Sequence, residues 1–117
     1  MERKKEEIYH QITNTLTDGE TRRFSVIGLC RVWSKHALDA IEVYATENDI
    51  SIAEIEAREV EIEPNLYHTF VFLKLDGDQP FLFDGTGLAN KEPYFGYEED
   101  APDHLQNSHP DLINHYR

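Results

Sequence analysis

Residues 67–75 (YHTFVFLKL) are so dense in β-branched and aromatic side chains that they predict a strand buried on both faces, around which the rest of the chain must be arranged. The neighbouring stretches fit a small antiparallel sheet. Upstream, Ile55 and Ala57, then Val60 and Ile62, alternate with a slip between the pairs that predicts a β-bulge. Downstream, Asp76-Gly77-Asp78-Gln79-Pro80 reads as a hairpin loop and Phe81-Leu82-Phe83 as a second short strand. Asp84-Gly85-Thr86-Gly87 is the glycine-containing turn that closes it.

Two helical patterns precede the strands. Lys4 to Leu16 predicts a short amphipathic helix with Ile8, Ile12 and Leu16 on one stripe, and Thr17-Asp18-Gly19-Glu20 ends it. From Leu29 to Asn48 the residues Leu29, Val32, Trp33, Ala37, Ala40, Ile41 and Tyr44 fall three or four apart, the strongest helical signal in the chain. Gly28 stands just before it, where a sharp turn into a helix favours a residue without a side chain. From Leu88 onward Pro, Asp, Glu, His and Tyr dominate without periodicity. That predicts loop and short helix wrapped over the surface, with Tyr94-Phe95-Gly96-Tyr97 packed on the core. Helix, long helix, then strands argues for an α+β fold, a long helix packed on a small antiparallel sheet.

With 117 residues, 39% of them hydrophobic, the chain can bury one modest core. We read it as a single domain, 1–117, with its core at about 26–87 and a wrapping C-terminal segment at 88–117. Twenty-three acidic residues against eleven basic ones give a net charge of −12, which disfavours nucleic acid and anionic membrane surfaces. A basic protein is the partner such a surface suits. The acidic clusters at 54–63 and 98–103 read as solvated faces. No apolar run approaches the roughly 20 residues of a membrane span, and Met-Glu-Arg-Lys-Lys-Glu-Glu is not followed by a signal-peptide core. One cysteine rules out an internal disulfide and a Cys-based zinc site built by this chain alone. The expectation is a cytoplasmic protein in a reducing compartment, with an effector secreted without a cleavable signal as the alternative.

That cysteine, Cys30, stands at the start of the long helix, His68 at the start of the first long strand and Asp84 at the end of the next. If those strands form a hairpin, His68 and Asp84 arrive at the same edge of the sheet. A helix N-terminus favours thiolate over thiol, and a facing imidazolium favours it further. A carboxylate behind the ring fixes its tautomer and orientation. The Cys30 N–H is a natural oxyanion donor. His36, the nearer histidine in sequence, lies roughly 240° around the helix from Cys30 and about 9 Å further along, so it is a surface residue in this reading. Asp103, His104, His109, Asp111 and His115 have the chemistry of zinc or divalent-metal ligands. Pro110 spoils any tidy helical pair among them, and we expect a solvated tail with no metal and no cofactor.

The segment Gly28-Leu29-Cys30-Arg31-Val32-Trp33-Ser34-Lys35-His36-Ala37-Leu38 resembles the nucleophile helix of the transglutaminase-like superfamily, a branch of the papain-like fold. His68-Thr69-Phe70-Val71 and Phe83-Asp84-Gly85-Thr86 resemble that family's histidine and aspartate strands, in the family's order, so the likeness spans about Val26 to Gly87. The resemblance implies a transglutaminase/papain-like core with nucleophile Cys30, base and acid His68 and orienting Asp84. It implies amide chemistry on a protein or peptide: glutamine deamidation, peptide cleavage or acyl transfer to an amine. Arylamine N-acetyltransferases use a similar triad, so acyl transfer of that kind is an alternative, as is a non-catalytic acidic binding module that keeps the fold. Val32 stands where relatives carry an acidic residue. No upstream Gln or Trp marks a second oxyanion donor, which leaves Gln11 and Asn14 as unselected candidates.

Overall fold

In the computed structural model, which describes residues 5–25, 28–64, 66–87 and 91–110, the both-faces-buried strand is the centre of the sheet. The strands are β1 (Ile52–Glu63), β2 (Leu66–Leu75), β3 (Phe81–Asp84), β4 (Tyr94–Tyr97) and β5 (His109–Pro110). They lie in the order β4-β3-β2-β1-β5, and every neighbouring pair is antiparallel. Two α-helices, α1 (Lys5–Asp18) and α2 (Cys30–Glu47), come before them, joined through a 3-10 turn at Glu20–Phe24. The class is α+β. Lys4, where the first helix was expected to begin, and Val26, at the expected start of the core, lie outside the described residues.

Strand β2 separates two apolar clusters. Val71, Leu73 and Leu75 face the helices, packing with Ile8, Ile12 and Leu16 of α1 and Trp33, Ala37 and Ile41 of α2. Phe70 and Phe72 face the other way and meet Val60, Leu82, Ala101 and Leu105. The second cluster exists because the C-terminal segment crosses the far face of the sheet. Each large side chain fully buried there contributes about 1.5–3 kcal/mol.

Three expectations need correction. The β1–β2 register runs unbroken from Ala57↔Val71 to Val60↔His68, so no bulge separates those pairs. Ile55 packs toward the helix-side core and Val60 belongs to the cluster beyond the sheet, so a strand buried on two faces mimics a slip. The irregularities fall at the ends of β1, between Ile52 and Glu54 and between Glu61 and Glu63. Second, Leu29 and Val32 are 38% and 40% exposed; the buried face of α2 is Trp33, Ser34, Ala37, Ile41 and Ala45. Third, the tail contributes β4 and β5 besides the 3-10 turns Glu98–Asp100 and Asp103–Leu105. Four residues with a central glycine, and two ending in proline, are too short to show a period of two. Tyr94–Tyr97 does pack on the core as expected, through Phe95 and Tyr97.

The acidic stretch of β1 is only partly solvated. Glu54, Glu61 and Glu63 are exposed, whereas half-buried Glu56 lies 3.1 Å from Arg58 and half-buried Glu59 lies 3.3 Å from Arg31. Among the described residues no helix is long and apolar enough to cross a membrane.

Candidate active site

Helix α2 begins at Cys30, and no side chain caps it. The first backbone bond of its opening turn runs from the Trp33 N–H to the Leu29 carbonyl at 2.8 Å. The N–H groups of Cys30, Arg31 and Val32 therefore have no intrahelical acceptor, and the positive end of the helix dipole lies at the sulfur. Gly28, at φ +98°, makes the entry turn in a backbone region that other residues rarely adopt.

The histidine and aspartate are brought together by strand register. Strands β2 and β3 pair from Leu73↔Phe81 to Val71↔Phe83. One further step sets Asp84 opposite Phe70 and diagonal to His68, on the sheet face turned away from the helices. His68 Nε2 lies 3.0 Å from Asp84 Oδ1, with the two side chains 1% and 0% exposed. The contact sits off the ring N–H axis, so it is a close ion-pair contact and not a linear hydrogen bond. The Gly87 N–H donates to the same Oδ1 at 3.2 Å, tying the turn after β3 to the carboxylate it carries.

At the level of His68 the strand β3 has already ended, so that side of β2 is open. At the tip of α2 the half-buried Cys30 thiol lies close enough to His68 and Thr69 for both to act on its ionisation. Burial disfavours a thiolate here, but His68 and Thr69 outweigh it and hold the Cys30 thiol below its ordinary range. Burial likewise disfavours the imidazolium, and Asp84 and Cys30 outweigh it, pushing His68 up to about 9. Both shifts favour the ionised form of the pair over the neutral one. Asp84 sits at Nε2, so Nδ1 is the ring nitrogen left for sulfur.

Trp33 locks this geometry. A Cβ on Gly85 would stand 2.2 Å from both Cε2 and Cζ2 of the indole, so only glycine at 85 lets Trp33 lie on the turn that carries Asp84. The arrangement supplies what attack on a carbonyl requires: a sulfur whose ionisation is favoured, an imidazole near it, a carboxylate behind the ring, and the N-terminal end of a helix.

The other sequence candidates sit elsewhere. His36 is exposed and stacks on Phe24 with ring centroids 4.2 Å apart. Gln11 and Asn14 are exposed on α1, off its buried stripe. Arg31 takes its acidic partner, Glu59, from β1, so the pair that Val32 cannot make within the helix is made across to the sheet. Asp103, His104 and His109 line a cavity of about 420 Å³ together with Glu61; Asp111 and His115 lie outside the described residues. Among the described residues no three His, Cys, Asp or Glu side chains are grouped so as to hold a metal ion. Sequence reasoning missed the Thr69 backbone and the place of His104 beside the pair. The first is legible only once the end of β3 is known, and the second only once the path of the tail is known.

No family model, no curated protein and no solved structure matches this chain.

Proposed function

We propose that the protein is a cysteine-dependent amide hydrolase or acyltransferase of the transglutaminase/papain-like kind, working through a Cys30 thioester. The observation that carries this reading is the meeting of Cys30 with His68, itself backed by Asp84, with the thiol held low and the imidazole held high. A buried packing cysteine has no need of either shift.

The steps follow from those positions. The Cys30 thiolate attacks the substrate carbonyl carbon, and the oxyanion is met by the Cys30 N–H. His68 passes its proton to the departing amine or ammonia as the C–N bond breaks, leaving the thioester. Neutral His68 then takes a proton from the incoming water or amine, which attacks the thioester and expels the thiolate. Asp84 holds the ring in register throughout.

The surroundings favour a polypeptide substrate. Leu29 and Val32 flank Cys30, and Leu66 and Tyr67 precede His68; these are four of the five large hydrophobic residues exposed on the described surface. They offer apolar surface on the elements that carry Cys30 and His68, and the net charge of −12 favours a basic segment. Within this reading hydrolysis, as deamidation or cleavage, is preferred to cross-linking.

Intact-mass analysis after incubation with an activated ester and with a panel of glutamine-containing peptides tests the reading. An acyl adduct on Cys30, lost in Cys30→Ser and formed at least about 100-fold more slowly in His68→Ala, is expected. Absence of any adduct from folded protein would leave the acidic binding module in its place.

A further inference from the structure

We infer that His104 is a positioning residue for Asp84, its Nε2–H serving, through one bridging water, the carboxylate oxygen that His68 and Gly87 leave open. This rests on the reading of Cys30, His68 and Asp84 as one reactive unit.

Asp84 is fully buried, and both described contacts, from His68 Nε2 and the Gly87 N–H, fall on Oδ1. Its Oδ2 is buried and has no hydrogen-bond partner among the described residues. A buried carboxylate oxygen is costly to leave without a donor, so a donor is to be sought in whatever covers that face. The cover is the C-terminal segment. Ala101 and Leu105 pack on Phe70 and Leu82, which share a sheet face with His68 and Asp84. Gln106 pins the segment by donating from Nε2 to the carbonyls of Glu98 and Ala101, both at 2.9 Å.

His104 precedes Leu105 in that segment and is half-buried. Its Nε2 is itself buried and without a partner among the described residues, so a stranded donor and a stranded acceptor lie on the same face. The charged groups that act on His104 are Asp84, His68 and Lys91, the last from the β3–β4 connection. Across the cavity are Glu61 of β1 and His109 of β5, with Asp103 on its own turn. Burial foremost, helped by Lys91 and His68 and opposed by Asp84, keeps His104 below its ordinary range. A neutral His104 has one N–H to give and adds no charge to compete with His68 for the carboxylate.

Long-range ¹⁵N–¹H correlation spectra of the wild-type protein at pH 7 read the tautomer directly. The Nε2–H form of His104 is expected, and the Nδ1–H form would overturn the inference whatever Cys30 does. The second readout is the pH profile of Cys30 alkylation. His104→Phe should move the profile toward that of an ordinary thiol, His104→Gln, which keeps an N–H donor, should restore it, and in an Asp84→Asn background neither should matter. Equal shifts in Phe and Gln variants, or a shift that survives Asp84→Asn, would mean a merely structural role. If His104→Phe does not fold, the tautomer decides. A wild-type profile that is already ordinary defeats the functional reading instead, and the tautomer then decides the placement of His104 by itself.

Discussion

The indole of Trp33 occupies the place a side chain on Gly85 would need, 2.2 Å from where a Cβ would stand. One residue thus couples the helix that begins at Cys30 to the turn that begins at Asp84. It is the only tryptophan in the chain, so its fluorescence reports on that junction alone.

Gly85→Ala is therefore expected to push Trp33 off the turn. Overpacking of this sort costs about 1–3 kcal/mol, read as a lower denaturation midpoint with a shifted tryptophan emission. An alanine variant with wild-type stability and emission would show that the contact is loose.

Leu105→Ala tests the C-terminal cover. Leu105 is wholly buried against the far side of the sheet, and its truncation should cost about 2–5 kcal/mol in chemical denaturation. His68 and Asp84 should become more accessible, seen as faster exchange of the His68 ring proton. Unchanged exchange in a destabilised variant would separate the cover from the pair.

How much of this was legible in the sequence depended on how local each cause was. Ile8, Ile12 and Leu16 announced their helix because one stripe faces one core. Residues 67–75 announced a doubly buried strand because both of its faces carry apolar side chains. Cys30, His68 and Asp84 were legible as a set because strand ends and a helix start converge in an antiparallel hairpin. Leu29 and Val32 are exposed for a local reason: Leu29 precedes the helix, and Val32, one residue before Trp33, lies about 160° around it from the buried face. The rest of what stayed hidden was decided by distant chain. Strand β4 owes its existence to the free edge of β3, not to its own four residues. His104 looked like solvated tail because nothing local says which face of the sheet the tail crosses.

Stability against pH provides an independent check on the pair. Unfolded, the chain carries a neutral thiol up to about pH 8.5 and a neutral imidazole above about 6.5. Folded, His68 keeps its proton to about 9, so its contribution is full below its ordinary value and drains as pH climbs through about 9. The Cys30 thiol, held low, has the opposite sign: its contribution is present above its ordinary value and is lost on acidification through the folded one. Above the folded thiol's titration and below its ordinary value the folded and unfolded proton counts nearly cancel, and wild-type stability should there be almost flat. Cys30→Ser removes the thiol's half, so stability should then fall with rising pH, by at most about 1.4 kcal/mol per unit. Urea denaturation at each pH measures both slopes, and parallel slopes would mean that the Cys30 thiol is not ionised in the folded protein over that range.

Glu59→Gln marks the edge of the site. It breaks the contact with Arg31, a side chain 41% exposed, and should cost less than about 1 kcal/mol, with the loss shrinking in salt. The alkylation profile of Cys30 should be unchanged. A large effect on that profile would make Arg31 part of the reactive unit.

The most direct test is the rate of Cys30 alkylation by iodoacetamide across pH, in wild type and in His68→Ala. The account predicts a wild-type thiol that reacts well below the ordinary value of about 8.5, and a variant whose reactivity returns to that value. An ordinary profile in folded wild-type protein, or one that His68→Ala leaves unmoved, would contradict it.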